Sequence, residues 1–227
     1  RIFTSVILLI VTFSYLIYTN EGYFLGLIII IGIFCYGEWI ITNDFLLGKF
    51  KKGFKIYITE IFNKNFLKFF SIYLFGFIYF LLILPLSAFY LRVEIGLNFF
   101  LLILIICIFS DVGGYVFGKT IGGKKLTKIS PNKTISGSIG SFFFSLIPYI
   151  FYLLIQQIPE KNYFLILFLT LILSLICQAG DLFISYFKRK SKIKNTGKII
   201  PGHGGILDRI DGMIFAFPYA FLLTKII

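Results

Sequence analysis

Seven apolar runs follow one another along this chain, each close to the ~20 residues that a helix needs to cross the hydrocarbon of a bilayer. They lie at roughly 2–19, 24–42, 68–90, 96–117, 138–156, 163–183 and 210–226. With 58% hydrophobic and 20% aromatic residues and a mean hydropathy of +0.93, an ordinary soluble domain is excluded, because apolar residues there sit near half. The expected fold is an all-α polytopic membrane protein of about seven transmembrane helices. It is read as one integral membrane domain over 1–227, since no linker, low-complexity tract or internal repeat interrupts the pattern. The first run is too long for a secretory signal and lacks a small-residue cleavage site, so it is read as a span, and the opening on Arg1 in place of Met points to a few residues before it.

The connections alternate in charge. Lys49, Lys51, Lys52, Lys55 and Lys64 lie in the second, Lys119, Lys124, Lys125, Lys128 and Lys133 in the fourth, and Lys188, Arg189, Lys190, Lys192, Lys194, Lys198 and Arg209 in the sixth. Arg92 and Lys161 are the only basic residues assigned to the odd connections. By the positive-inside rule the basic loops and Arg1 are expected on the cytoplasmic side of the cell (inner) membrane. For the loop at 43–67, setting topology and meeting anionic headgroups is explanation enough. Cys35, Cys107 and Cys177 are odd in number and each sits in an apolar run, so neither a disulfide framework nor a zinc site is implied.

Four carboxylates collect at the same expected face. Asp111 and Asp181 fall near the cytoplasmic ends of their spans, and Asp208 and Asp211 open the last one, three apart and so on one side of a helix. A carboxylate within a span costs about 2.5–3.5 kcal/mol on insertion scales, so such residues mark function more often than not. Singly, Asp111 or Asp181 could pair with a loop lysine. As a set, carboxylates beside many lysines suit a divalent cation that bridges phosphates. Glu38, inside the second span beside Trp39, is read as an interhelical hydrogen bond near the interface and left out of the site.

Two loops complete a phosphate-handling arrangement. Between 118 and 137, Gly118, Gly122, Gly123 and Gly137 surround Lys119, Lys124, Lys125, Ser130, Lys133 and Thr134, a basic segment with hydroxyl donors. Pro201-Gly202-His203-Gly204-Gly205 is a turn expected to leave backbone N–H groups open to anions, just ahead of the acidic pair. The second pattern is much the more specific. A lone loop histidine is usually a solvated side chain, but the glycines flanking His203 favour a phosphate contact or a proton role.

The run from Ser185 to Asp211, SYFKRKSKIKNTGKIIPGHGGILDRID, closely resembles the signature of bacterial phosphatidate cytidylyltransferases, the CDP-diacylglycerol synthases. Gly180-Asp181-Leu182 resembles the helix end that precedes it. The stretch Asp111 to Lys119, followed by Ser130-Pro131-Asn132-Lys133-Thr134 and Gly137, resembles the family's other motifs, so that a catalytic half of about 105–227 is matched. Asn195 stands where the family usually has Asp, Gly114 where it favours Ala, and Ser136 where Glu or Gln is common.

The resemblance implies a nucleotidyltransferase of phospholipid biosynthesis: the phosphate of phosphatidic acid attacks the α-phosphorus of CTP, giving CDP-diacylglycerol and pyrophosphate. A phosphomonoester with a second pKa near ~6 is already ionised, so charge repulsion and not proton abstraction is the obstacle. On this reading Asp208, Asp211, Asp181 and Asp111 hold Mg2+, with room for a second divalent or a monovalent cation. Lys188, Arg189, His203 and Arg209 act at the reacting phosphates, and Ser130, Lys133, Thr134, Lys194, Gly202, Gly204 and Gly205 bind substrate. The partners implied are CTP, phosphatidic acid and membrane lipids, with a homodimer compatible and no nucleic acid. The rivals are a CTP-dependent polyprenol or lipid-alcohol kinase, which would release CDP, and an ion-coupled transporter, against which the one-sided carboxylates speak.

Overall fold

The computed structural model describes residues 14–46, 66–156, 159–197, 199 and 204–226. Helices dominate them, and no named strand is present among the described residues. The elements are α1 (Glu21–Leu46), α2 (Phe66–Ile78), α3 (Leu84–Tyr90), α4 (Leu97–Thr120), α5 (Ile135–Gln156), α6 (Tyr163–Lys190) and α7 (Met213–Ile226). Between α2 and α3 the chain makes a π-helical turn, Tyr79–Ile83, and another, Leu91–Ile95, follows α3. Pro85 lies at the start of α3, where its missing N–H would otherwise break the hydrogen-bond ladder, and the wider π turn just before it absorbs that break.

Five described segments are long and apolar enough to cross a membrane: Glu21–Phe45, Phe70–Ile95, Leu97–Thr120, Ile135–Gln156 and Tyr163–Lys190. Of the first expected span only 14–19 is described, helical over 14–18, and the basic loop with Lys49, Lys51, Lys52, Lys55 and Lys64 lies outside the described residues. The last span differs from expectation. Its helix begins at Met213 and not at 210, because Asp208 and Asp211 turn their side chains onto backbone N–H groups nearby and so compete with helix formation. Gly212 adds the usual glycine penalty. The two aspartates therefore do not open a helix or share one of its sides. The fifth long segment also runs further than expected, carrying Lys188, Arg189 and Lys190 in the last turn of α6, where cations complement the helix dipole.

The chain divides into two compact units, Arg1–Leu97 with Ser191–Asp208, and Asn98–Lys190 with Arg209–Ile227. In the first, α1 packs against α2, α3 and the π turn between them. The Trp39 Nε1–H donates to the Ile72 carbonyl at 3.2 Å, and Phe24, Cys35, Phe80 and Leu91 are buried. Arg92 gives the 14–18 stretch its C-terminal cap, donating through Nη2 to the Leu16 and Thr19 carbonyls at 2.7 Å each, with its guanidinium 4.2 Å from the centre of the Phe24 ring. Gly96, at φ 122°, takes the left-handed turn from which α4 departs.

In the second unit α6 packs against both α5 and α7. Small residues let backbones approach: a Cβ on Gly113 of α4 would fall on the Gly140 carbonyl of α5. Ile103, Ile106, Cys107, Leu173 and Cys177 fill the interior, and the Ser110 and Ser174 hydroxyls meet at 3.0 Å between α4 and α6. The rings of Phe100 and Phe217 stack at 5.1 Å, fastening α7 to α4.

Candidate active site

In the second unit, the loop from α4 to α5 folds back on itself. The Leu126 N–H donates to the Lys133 carbonyl at 2.8 Å, the Ile135 N–H to the Lys124 carbonyl at 3.0 Å, and the Lys133 N–H to the Ser130 carbonyl at 3.1 Å. Thr134 then caps α5, its Oγ1 accepting the Gly137 N–H at 3.1 Å. Ser136 donates to the Gly122 carbonyl and ties down the glycine end of the loop. These bonds deliver Lys133 to the Asp181 carboxylate of α6, with which it forms an ion pair. Asp181 also accepts from Ser185 one turn on, at 3.2 Å.

Around this pair lies a cavity of about 210 Å³, lined among others by Asp111, Tyr115, Lys133, Thr134, Gln178 and Asp181. Asp111 is exposed to it. Asp211, in the turn before α7, is brought to the same side chains by a close approach of backbones: a Cβ on Gly180 would fall on the Asp211 carbonyl, and one on Gly212 would fall on the Cys177 sulfur. Burial pushes the Asp211 carboxyl up to about 8; the neighbouring Asp181 and Asp111 carboxylates push the same way, and Lys188 pulls against them. This unit thus gathers Asp111, Lys133, Asp181, Lys188 and Asp211. Arg189 is exposed on the last turn of α6, and Arg209 is exposed in the turn before α7.

Among the described residues no group of three or more His, Cys, Asp or Glu side chains is set to hold a metal ion. Mg2+ needs only one or two protein carboxylates, because it completes its shell with water and phosphate oxygens. Asp181 with Asp111 or Asp211 meets that requirement. Carboxylate oxygens at a polar cavity that already takes a lysine ammonium are the donors such a cation uses, so the donor set fits a divalent cation.

In the first unit, Thr196 and residues 205–207 of the signature segment meet two carboxylates. Asp208 Oδ2 accepts the Thr196 N–H at 2.8 Å and the Gly205 N–H at 3.1 Å. Glu38 of α1 accepts the Thr196 hydroxyl at 2.9 Å, the Ile206 N–H at 3.0 Å and the Leu207 N–H at 2.8 Å. The glycine turn was expected to present free N–H groups to an anion; at Gly205 that donor is taken by Asp208, and Gly204 and Gly205 are buried. Lys194 and Asn195 are exposed, while Pro201, Gly202 and His203 lie outside the described residues. Glu38, read from the sequence as an interhelical hydrogen bond and left out of the site, instead holds the signature residues. The cost of a carboxylate inside an apolar span, which singled out Asp111 and Asp181, applies to it equally.

Known proteins resemble this chain over much of its length. Residues 46–227 match the model of the cytidylyltransferase family. A phosphatidate cytidylyltransferase of Staphylococcus aureus (strain COL) is 46% identical over 129 residues, covering 56% of this chain and 49% of that protein. Proteins of the same name from Staphylococcus haemolyticus and Staphylococcus epidermidis are 43% identical over 136 residues and 42% over 130, covering 60% and 56% of this chain and 52% and 49% of theirs. The aligned part therefore spans about half the length of these relatives. Because the family pattern runs from residue 46 to residue 227, through the α4–α5 loop, Asp181 and the Asp208–Asp211 turn, this chain belongs to the cytidylyltransferase family.

Proposed function

We propose that the chain is a CTP:phosphatidate cytidylyltransferase, joining CTP and phosphatidic acid at the cytoplasmic face of the cell membrane to give CDP-diacylglycerol and pyrophosphate. The observation that carries this reading is the polar cavity in which Lys133 meets Asp181 beside Asp111, with Asp211 and Lys188 adjoining. The names of the relatives supply the substrates.

In the reaction a phosphate oxygen of phosphatidic acid forms a bond to the α-phosphorus of CTP, and the bond from that phosphorus to the β-phosphate oxygen breaks, releasing pyrophosphate. No strong base is needed, consistent with a cavity lined by lysine and carboxylates. Lys133, held at the cavity wall by its ion pair, is in place to exchange Asp181 for a substrate phosphate, and Lys188 offers a second cation on the last turn of α6. Arg189 and Arg209, exposed near the same helix ends, add guanidinium forks for phosphate oxygens. Mg2+, when bound by Asp181 with Asp111 or Asp211, would neutralise charge developing on the phosphates. Thr134 acts as a helix cap that sets the angle of Lys133, a positioning role in addition to the expected substrate contact.

The test is incubation of the detergent-purified chain with CTP, phosphatidic acid and Mg2+, followed by identification of products. CDP-diacylglycerol with stoichiometric pyrophosphate is expected. Release of CDP with a phosphorylated lipid alcohol as product would overturn the reading in favour of a kinase.

A further inference from the structure

Glu38 lies before the residues that the family pattern covers, yet it holds the signature segment by three hydrogen bonds at once. Only 1% of it is exposed. We propose that Glu38 is a positioning residue for catalysis: anchored on α1, its carboxylate sets the conformation of residues 196–197 and 204–208 and thereby the direction of Asp208. This rests on the cytidylyltransferase reading and extends it to a part of the chain without a signature.

The geometry is that of a built socket. Each Glu38 oxygen receives a backbone N–H from consecutive residues, Ile206 to Oε1 and Leu207 to Oε2, and Oε2 receives the Thr196 hydroxyl from the other arm of the segment. Bonds to a carboxylate are shorter and stronger than neutral ones. Gly197 and Gly205 press so closely on the carboxylate that a Cβ on either would fall on its Oε atoms. Asp208 repeats the arrangement from within the segment, drawing Thr196 and Gly205 together. The two carboxylates therefore share Thr196, which gives one its N–H and the other its hydroxyl. Gly197, Gly204 and Gly205 would otherwise leave these stretches many conformations, and Asp208, to which the family resemblance assigns a cation, would cost on the order of 10²-fold in rate if displaced by about 1 Å.

Glu38→Gln keeps the size of the side chain but replaces one acceptor by an NH2 group facing backbone N–H donors. Two readouts on the full chain in detergent separate positioning from mere stability. Hydrogen exchange is followed on peptides covering 196–208 and, as an internal standard, on α4 to α6; turnover is measured per folded molecule, with kcat and KM for CTP and phosphatidic acid obtained separately. In Glu38→Gln the segment should exchange about tenfold or more faster while the helices do not change. The kcat should fall by about 10–100-fold, more than either KM rises. Thr196→Val removes one of the three donors and should give a smaller loss of the same kind, and the double variant should lose little more than Glu38→Gln alone. Unchanged segment exchange, or a lower melting temperature with normal kcat per folded molecule, would overturn the proposal. Should Glu38→Gln fail to fold, Thr196→Val reads the same contact, and normal exchange together with normal kcat there would overturn it equally. Wild-type protein that makes no CDP-diacylglycerol would instead sink the proposed function, and the exchange result would still decide whether Glu38 shapes the segment.

Discussion

The Lys133 ammonium rests against the Asp181 carboxylate, joining the loop before α5 to the middle of α6's polar end. Each side chain remains about a quarter exposed, at 27% and 25%, so the pair can open to a ligand without a buried charge being stranded. Lys133→Ala should therefore fold and keep some turnover, with the apparent KM for one phosphate-bearing substrate raised by about 10–100-fold, the worth of a charged phosphate contact. Asp181→Asn should instead lower kcat by about 10²-fold or more. Steady-state rates of pyrophosphate release against each substrate distinguish the two patterns, and equal effects on KM alone would argue against a cation at Asp181.

At Gly180, α6 and the turn bearing Asp211 touch through their backbones. Gly180→Ala inserts a methyl group where the Asp211 carbonyl stands, which should destabilise by about 1–3 kcal/mol, as overpacking does. Activity should fall further than stability, since the shift moves Asp211 away from Asp181. Thermal unfolding and turnover of the same preparation make the comparison; an active, normally stable Gly180→Ala protein would mean the turn is free to relocate.

The raised Asp211 carboxyl gives a pH dependence of definite sign. Its value in the folded protein, about 8, lies above the ordinary 3.8, so the stability it contributes is present at acid pH and is lost as pH rises through that interval. Without divalent cations, wild-type melting temperature should fall between about pH 4 and pH 8, and Asp211→Asn should flatten that decline. Mg2+ should flatten it in the wild type as well, because a bound cation favours the ionised carboxylate. A slope unchanged by both treatments would show that Asp211 does not govern it.

Lys51→Cys, Lys125→Cys and Lys192→Cys sample the three basic loops. Membrane-impermeant thiol reagents should reach all three only from the cytoplasmic side in inside-out vesicles. Labelling of any one from outside the cell would separate the loops and break the proposed single-faced site.

Much of the fold could be read from hydropathy, because a bilayer leaves a helix few alternatives: the expected runs at 24–42, 138–156 and 163–183 each lie within a described helix, and that at 96–117 does so from Leu97 on. The ends could not. Lys188 and Arg189 read as loop residues by charge, but a helix end tolerates and even favours cations, so α6 runs through them. Asp208 and Asp211 read as an i, i+3 pair, a spacing that means one face only where the backbone is helical, and here their own side chains bond to backbone N–H groups in turns. The meeting of Lys133 with Asp181 depends on a hairpin of backbone hydrogen bonds and on Thr134 capping α5, and neither is visible in composition. Glu38 was legible as a buried hydrogen-bonding carboxylate but not its partners, because its donors stand more than 150 positions away in the chain and nothing local announces them.

The length of α6 has a consequence for how the reaction would be supplied. Its 28 residues measure about 42 Å, against ~30 Å of hydrocarbon, so along the bilayer normal about two turns would stand clear of the lipid tails. On the proposed reading the polar turns from Asp181 through Ser185 to Lys188 would stand at the level at which a bilayer carries its own phosphates. A lipid would then offer its phosphate to the cavity without leaving its leaflet, while the nucleotide arrives through water. One substrate is in effect counted per unit area and the other per unit volume. Diluting phosphatidic acid with inert detergent, at constant bulk concentration, should slow the proposed reaction as strongly as removing it.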